Sequence, residues 1–184
     1  MRTIKTSTRL AVVAACLATA LALPALAEKK TTGEHVDDGT IAASIKAGLL
    51  DNKSTSSMQI NVESYKGTVQ LSGFVESQAE KDAAGKVAKD TDGVTKVINS
   101  LALAPRTSLG TKLDDSLVTG KVKAALMDAA DVKSMQINVE TKNGVTQLAG
   151  FVTSQGMKER AGQVAATVSG VKQVDNVLVV KPKE

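Results

Sequence analysis

The sequence predicts an α+β protein made of two tandem copies of one small module. Three observations carry this prediction: an internal repeat, a fixed order of helix-like and strand-like patterns within each repeat, and an apolar leader outside both repeats. A shift of 77 residues places Asp37–Leu101 on Asp114–Leu178 without a gap, and about half of the aligned positions are identical. Any account of function must therefore explain what two copies do.

The first 27 residues read as a secretory signal peptide. A basic start is followed by an apolar stretch over residues 10–23 and by small residues that place cleavage between Ala27 and Glu28. The stretch is shorter than the roughly 18 residues of a membrane span. A lipid anchor at Cys16 is disfavoured, because only about six apolar residues precede that cysteine, fewer than the usual region of about 7 to 15. We expect a periplasmic protein with no cysteine after cleavage.

Export also changes the charge of the protein. The full chain has 23 basic and 19 acidic residues, and the leader removes three basic ones, which leaves about one net positive charge. This balance lacks the basic excess of a nucleic-acid-binding protein. After a flexible lead at residues 28–36, we expect one module at 37–104, a linker containing Pro and Gly at 105–112, and a second module at 113–181.

Each module begins with a predicted helix. Paired aspartates, Asp37-Asp38 and Asp114-Asp115, are expected to cap these helices, a role preferred over calcium binding or acid–base catalysis. Apolar residues then recur at spacing four and predict one buried stripe per helix. The stripes are Ile41, Ile45 and Leu49 in the first copy, and Val118, Val122 and Leu126 in the second.

A hairpin follows each first helix. Alternation of Met58, Ile60 and Val62 with Gln59, Asn61 and Glu63, repeated from Met135 to Glu140, predicts a strand with one face in water. Lys66-Gly67 and Asn143-Gly144 are tight-turn signals before the returning strands at 68–75 and 145–152. Gly73 and Gly150 inside those strands indicate a bend, with close approach of a partner or lipid as the functional alternative.

A second helix and a last strand complete the module. Ser77 and Ser154 are predicted caps, and Gly93 and Gly170 are predicted left-handed stops after the helices. The last strands are expected at 97–103 and 174–180, where Asn99 and Asn176 fit a local structural role. A strand–helix–strand crossover is parallel and right-handed. Each α-β-β-α-β module is therefore expected to form a mixed three-stranded sheet with two helices on one face.

The motifs of this arrangement resemble the BON domain. Residues 67–73 read G-T-V-Q-L-S-G and residues 144–150 read G-V-T-Q-L-A-G, and each is followed by a GV-x-x-V-x-N-x-L segment that begins at Gly93 or Gly170. The resemblance implies a non-enzymatic periplasmic protein of the cell envelope that is connected with osmotic stress. It also implies binding to phospholipid membranes or to envelope proteins, with a chaperone-like role as the alternative.

Candidate chemistry in the sequence is sparse. His35 lies in the polar lead, no serine has a partner base, and the mature chain offers neither a catalytic set nor the ligands of a transition-metal site. We therefore expect no enzyme activity, cofactor or small-molecule substrate, with an envelope hydrolase as a third hypothesis. Lys46, Lys121 and Lys123 are the weak lipid-binding candidates, since a basic helix can lie on an anionic membrane. Two modules would raise avidity if both engage at once.

Overall fold

The computed structural model describes residues 37–55, 60–106 and 108–182 and confirms the predicted α+β fold. The leader, the cleavage site, His35, Met58 and Gln59 lie outside these residues. The first module contains α1 (Asp38–Asp51), β1 (Ile60–Tyr65), β2 (Thr68–Val75), α2 (Gln78–Lys89), β3 (Lys96–Asn99) and β4 (Ala102–Leu103). The second contains α3 (Leu109–Asp128), a 3₁₀ turn (Ser134–Gln136), β5 (Asn138–Lys142), β6 (Val145–Ala149), β7 (Phe151–Val152), α4 (Gln155–Ala166), β8 (Gln173–Asn176) and β9 (Val179–Val180).

The two sheets share one topology. β1 and β2 are antiparallel, and β2 pairs in parallel with β3 and then β4. In the second module β5 and β6 are antiparallel, while β6–β8 and β7–β9 are parallel. The predicted last strand is thus interrupted after Asn99, whose Oδ1 accepts a hydrogen bond from the N–H of Leu101 at 3.3 Å. Its Nδ2 donates to the carbonyl of Lys81 in α2 at 2.8 Å, which ties strand to helix.

Each module has its own apolar core between helices and sheet. The predicted stripes of α1 and α3 are buried in these cores. In the first module they meet Val69 and Leu71 of β2 together with Ala84 and Ala88 of α2. Burial on one side of the sheet leaves the alternate residues of each strand on the opposite side, away from the helices.

The aspartates at the helix starts do not cap their helices. Asp37 occupies the N-cap position of α1 without a side-chain bond, and the Asp38 carboxylate instead accepts bonds from the N–H groups of Lys66 and Gly67, at 2.7 and 3.0 Å. Asp115 accepts the corresponding bonds from the second hairpin turn at 2.8 and 2.9 Å. The capping prediction is wrong because tight turns with positive φ present two backbone N–H donors beside each helix, and the aspartates accept from these.

Helix α3 is longer than the sequence pattern predicted. It begins at Leu109, and the Ser108 hydroxyl caps it by accepting from the N–H of Thr111 at 3.3 Å. Much of the expected linker at 105–112 is therefore helical, since Gly110 is compatible with a helix when a good cap precedes it. Asp114 and Asp115 lie inside the helix, which explains why neither could cap it.

Glycines occupy left-handed backbone where the turns require it. Gly93 and Gly170 have φ of 85° and 101°, but they lie in the turns before β3 and β8, several residues after the helices end at Lys89 and Ala166. The expectation that they stop the helices directly is therefore wrong. Met135 also departs from its predicted strand position: it lies in the 3₁₀ turn and is fully exposed.

The polar faces of the two sheets pack against each other. The Asn61 amide of β1 donates to the Glu140 carboxylate of β5 at 2.9 Å, and the Asn138 amide donates to Glu63 at 2.6 Å. The two bonds exchange under the 77-residue shift, so the modules are related by a pseudo-twofold axis. The prediction that this strand face meets water is wrong, because the sister module covers it.

Two glutamines form the centre of this interface. Gln70 donates from Nε2 to the carbonyl of Val177 at 2.7 Å and accepts at Oε1 from the N–H of Gly150 at 2.8 Å. Gln147 makes the equivalent bonds. Its Nε2 donates to the carbonyl of Ser100 at 3.0 Å, and its Oε1 accepts from the N–H of Gly73 at 2.6 Å. Helices, sheet, sheet and helices therefore stack in four layers, and residues 37–182 belong to one compact unit.

Candidate functional site

The pairing of the sheets leaves the helical faces as the principal outer surfaces of the two modules. On α3, Leu109, Leu113 and Leu117 recur at spacing four and are 80%, 69% and 64% exposed. At 3.6 residues per turn this spacing aligns them in one outward stripe, opposite the buried stripe of the same helix. A helix that is apolar on two faces has one face available for a partner.

Lysines flank the exposed stripe, hereafter the leucine stripe (Leu109, Leu113 and Leu117). Lys112 and Lys123 project on one side of it and Lys121 on the other, by their helical positions, and all three are exposed. Two of the three lysines nominated from the sequence, Lys121 and Lys123, therefore lie beside an apolar surface. Sequence reasoning missed the leucines because it treated residues 105–112 as linker and began the helix five residues late.

The third nominated lysine lies in different surroundings. Lys46 is exposed on α1 of the other module, where Thr40 occupies the position equivalent to Leu117. Lys46 and Lys123 are equivalent under the repeat, but the described part of the first module begins at residue 37, so the positions equivalent to Leu109 and Leu113 lie outside the described residues. The structure thus separates Lys46 from the leucine stripe, on the outer layer of the opposite module.

A polar cleft opens beside the leucine stripe. It has a volume of about 450 Å³, and its walls include Leu117 and Lys121 of α3 with Asn143, Ser169 and Lys172 from the loops. Asp114 and Asp115 also line it. Asp115 accepts bonds from the turn amides, so its charge is already matched by donors of the protein. The cleft therefore combines two ammonium groups, from Lys121 and Lys172, with the exposed carboxylate of Asp114, next to an apolar surface.

Two carboxyl groups have shifted pKa values for structural reasons. Burial raises the pKa of Glu140 above its ordinary value, although the Asn61 amide and the charges of Lys142 and Lys123 act in the opposite direction. Burial also acts to raise the pKa of Asp38, but the bonds from Gly67, Ser64 and Lys66 outweigh it, and the pKa is lowered. Both groups hold the fold together rather than facing a shared reaction site.

Two properties of the described residues bear on the kind of site present. Within residues 37–55, 60–106 and 108–182, no cluster of three or more His, Cys, Asp and Glu side chains could hold a metal ion. None of the helices described in this part of the chain has both the length and the apolar character needed to cross a membrane.

Two modules with this fold, joined face to face, define the class of protein. The BON domain model matches residues 37–105 and again residues 114–182, so the chain belongs to the BON-domain family. The family resemblance inferred from the sequence is confirmed.

Three bacterial proteins illustrate what this chain is similar to. Osmotically-inducible protein Y of Escherichia coli (strain K12) is 42% identical over 151 residues, which cover 81% of this chain and 75% of that protein. Outer membrane lipoprotein DolP of Haemophilus influenzae is 33% identical and is covered over 82% of its length, with 86% of this chain aligned. The 21 kDa hemolysin of Actinobacillus pleuropneumoniae is 28% identical over 152 residues, 82% of this chain and 78% of that protein.

Among solved structures, the C-terminal domain of CdsD, a structural protein of the type III secretion system of Chlamydia trachomatis, matches 80% of this chain and 68% of its own length. The TM-score is 0.33 and the sequence identity is 16%.

Proposed function

We propose that the protein is a non-catalytic, periplasmic component of the bacterial cell envelope that binds the surface of a phospholipid membrane through helix α3. The observation that carries the proposal is the leucine stripe with lysines on both sides. Apolar side chains flanked by cations suit the boundary between acyl chains and anionic headgroups. The names of two relatives, an osmotically inducible protein and an outer membrane lipoprotein, support an envelope role linked to osmotic stress.

The energetics of the stripe are sufficient for reversible binding. Burial of a leucine side chain is worth about 1.5–3 kcal/mol, and a lysine near an anionic surface adds about 1 kcal/mol. Partial burial of three leucines together with two or three lysines therefore supports a weak but measurable association. The cleft between Lys121 and Lys172 provides room beside Leu117 for an anionic headgroup.

Only one module would contact the membrane in this arrangement. The leucine stripe belongs to the second module, and the first module lies on the far side of the paired sheets. The condition for raised avidity, that both modules engage at once, is therefore not met by a single membrane contact in this proposal. Export through the signal peptide, with cleavage between Ala27 and Glu28, remains part of the proposal.

Vesicle flotation of residues 28–184 tests the proposal. We expect the protein to float with phosphatidylglycerol vesicles at low salt and to float poorly with phosphatidylcholine vesicles or at high salt. Leu113→Ser with Leu117→Ser should reduce the floated fraction at least fivefold. Leu50→Ser is the matched control, because Leu50 is 68% exposed on α1 and lies outside the stripe. Equal flotation of the stripe variant and the wild type would refute the proposal.

A second candidate function is a chaperone or adaptor for exported proteins. Exposed apolar side chains away from the leucine stripe favour it, including Leu50, Met127 and Met135. Suppression of the aggregation of a urea-denatured outer-membrane protein tests this candidate, and no suppression at a tenfold molar excess would eliminate it.

A further inference from the structure

The exposed apolar face of α3 extends beyond the leucine stripe. Gly120, Ala124 and Met127 follow Leu117 at spacings of three, four and three residues, and all are exposed. At 3.6 residues per turn, this alternation of three and four keeps them on the helix face that carries the leucines, opposite the buried stripe. It is the spacing by which one helix packs along another. The face runs along nearly the whole of the 20-residue helix.

The middle of this face is recessed because its residues are small. Gly120 has no side chain, and no atom in the described part of the chain lies within 4 Å of the position that an added Cβ would occupy there. Ala124 is exposed about one turn further on. Large side chains lie on either side of this gap, with Leu117 before it and Met127 after it. A face with this profile can accept a large side chain of a second helix.

The charges beside the gap are arranged to match a second copy of the same helix. Asp114 and Lys121 are exposed, lie on the same flank of the apolar face and are separated by seven residues. In an antiparallel pair of helices related by a twofold axis, equal flanks meet. An axis that passes between Leu117 and Val118 places each Asp114 level with the partner's Lys121. One register therefore gives two ion pairs of opposite charge.

The same register places large apolar side chains against small ones. Leu113 comes level with the space between the partner's Gly120 and the partner's Ala124, where a leucine knob fits a hole with small walls. Leu109 comes beside the partner's Met127 at the end of the contact. The charge pattern and the shape of the face thus select the same register independently.

The opposite flank limits the strength of the contact. In this register Lys112 comes level with the partner's Lys123, and both lysines are exposed. These like charges lie two residues further from the axis than Asp114 and Lys121, where crossing helices have begun to diverge and long side chains extend into water. The pair therefore weakens the contact without blocking it.

We propose that two copies of this protein associate through α3 as an antiparallel, twofold-symmetric pair in which each helix covers the exposed apolar face of the other. A contact made by one helix of each copy is smaller than the roughly 1,200 Å² typical of stable complexes, so the dimer is weak and depends on concentration. Self-association buries the leucine stripe and therefore excludes the proposed membrane contact while it lasts. It does not depend on that contact.

Sedimentation velocity of residues 28–184, from micromolar to millimolar concentration, measures the association. We expect a reversible equilibrium between monomer and dimer. Leu113→Ser with Leu117→Ser should weaken the dimer at least tenfold. Leu50→Ser is the matched control and should leave it unchanged, because Leu50 is an equally exposed leucine on α1. A wild type that stays monomeric at millimolar concentration, or a dimer that is indifferent to the stripe variant, would overturn the inference.

Exchange of the two charges tests the register. Asp114→Lys and Lys121→Asp should each weaken the dimer at least fivefold, because like charges then face each other at both ends of the contact. The double variant should associate within twofold of the wild type, because the ion pairs are restored in reverse. Both side chains are exposed, so circular dichroism should show native folding in all three variants. Failure of the double variant to recover would overturn the proposed pairing.

Vesicle flotation separates this inference from the membrane proposal. At concentrations where the wild type is monomeric, Asp114→Lys should float with phosphatidylglycerol vesicles at least as well as the wild type, because it adds positive charge beside the stripe while it weakens the dimer. A wild type that dimerises but does not float would refute the membrane proposal alone. A wild type that floats but never dimerises would refute this inference alone.

Discussion

Replacement of Gln70 by alanine should separate the two modules or greatly weaken their contact. The side chain is fully buried, and it satisfies the carbonyl of Val177 and the N–H of Gly150 in the other module. Each buried polar group left without a partner costs about 1–3 kcal/mol. With the lost packing of the side chain, we expect a total of about 3–5 kcal/mol, a large part of the 5–15 kcal/mol typical of a folded domain.

Urea denaturation followed by circular dichroism measures this effect. The wild type should unfold in one transition if the interface couples the modules, whereas Gln70→Ala should show a lower midpoint or two separate transitions. Gln78→Ala is the matched control, because Gln78 is exposed and only donates to Asp82 within α2 at 2.7 Å. It should change stability by less than about 0.5 kcal/mol. A Gln70 variant that matches this control would show that the reciprocal interface does not contribute in solution.

The remaining predictions concern the helix glycines and two carboxyl groups. In the same urea assay, Gly85→Ala should destabilise the protein by about 1–2 kcal/mol, because the added Cβ would lie 2.8 Å from Nδ2 of Asn99. Gly120→Ala should stabilise the protein by about 0.5–1 kcal/mol, because the space around Gly120 is open and alanine has the higher helix propensity. The raised pKa of Glu140 favours the folded state at low pH, and this contribution is lost as pH rises through the folded-state pKa. If the free energy of unfolding had the same pH dependence in Glu140→Gln as in the wild type, this prediction would be contradicted. The lowered pKa of Asp38 has the opposite sign, so its contribution is present above the ordinary aspartate pKa and is lost as pH falls, and Asp38→Asn should lack that loss.

Local patterns predicted the elements well where the signal was short-range. Spacing four located the buried stripes of α1 and α3, and Asn143-Gly144 located a hairpin whose residues have φ of 55° and 81°. The serine caps of α2 and α4 also followed from adjacent residues: Ser77 accepts from the N–H of Glu80 and Ser154 from the N–H of Met157, both at 3.2 Å. These features depend on contacts within a few residues, which the sequence displays directly.

Features that depend on a distant partner were predicted poorly. Asp38 resembled a helix cap, but a hairpin turn 28 residues away supplied better donors. Asn61 and Glu63 resembled solvent-facing strand residues, because nothing in one module indicates that the other module covers the same face. The candidate site was found only in part for a related reason. Lys121 and Lys123 were nominated from the sequence, whereas Leu109 was assigned to the linker and Leu113 lay before the expected start of the helix.

The repeat and its exceptions together indicate where function resides. Residues at the module interface recur in pairs, because each bond made by Asn61 or Gln70 must be returned by Asn138 or Gln147 for both sheet faces to be satisfied. These reciprocal bonds occupy the polar faces of both sheets and hold the two modules together as one unit. The outer helices make no such reciprocal bonds, so Leu117 and its equivalent in the first repeat, Thr40, can differ without destabilising the fold. A binding surface that is needed only once should therefore lie where the two repeats differ in sequence, as the leucine stripe does.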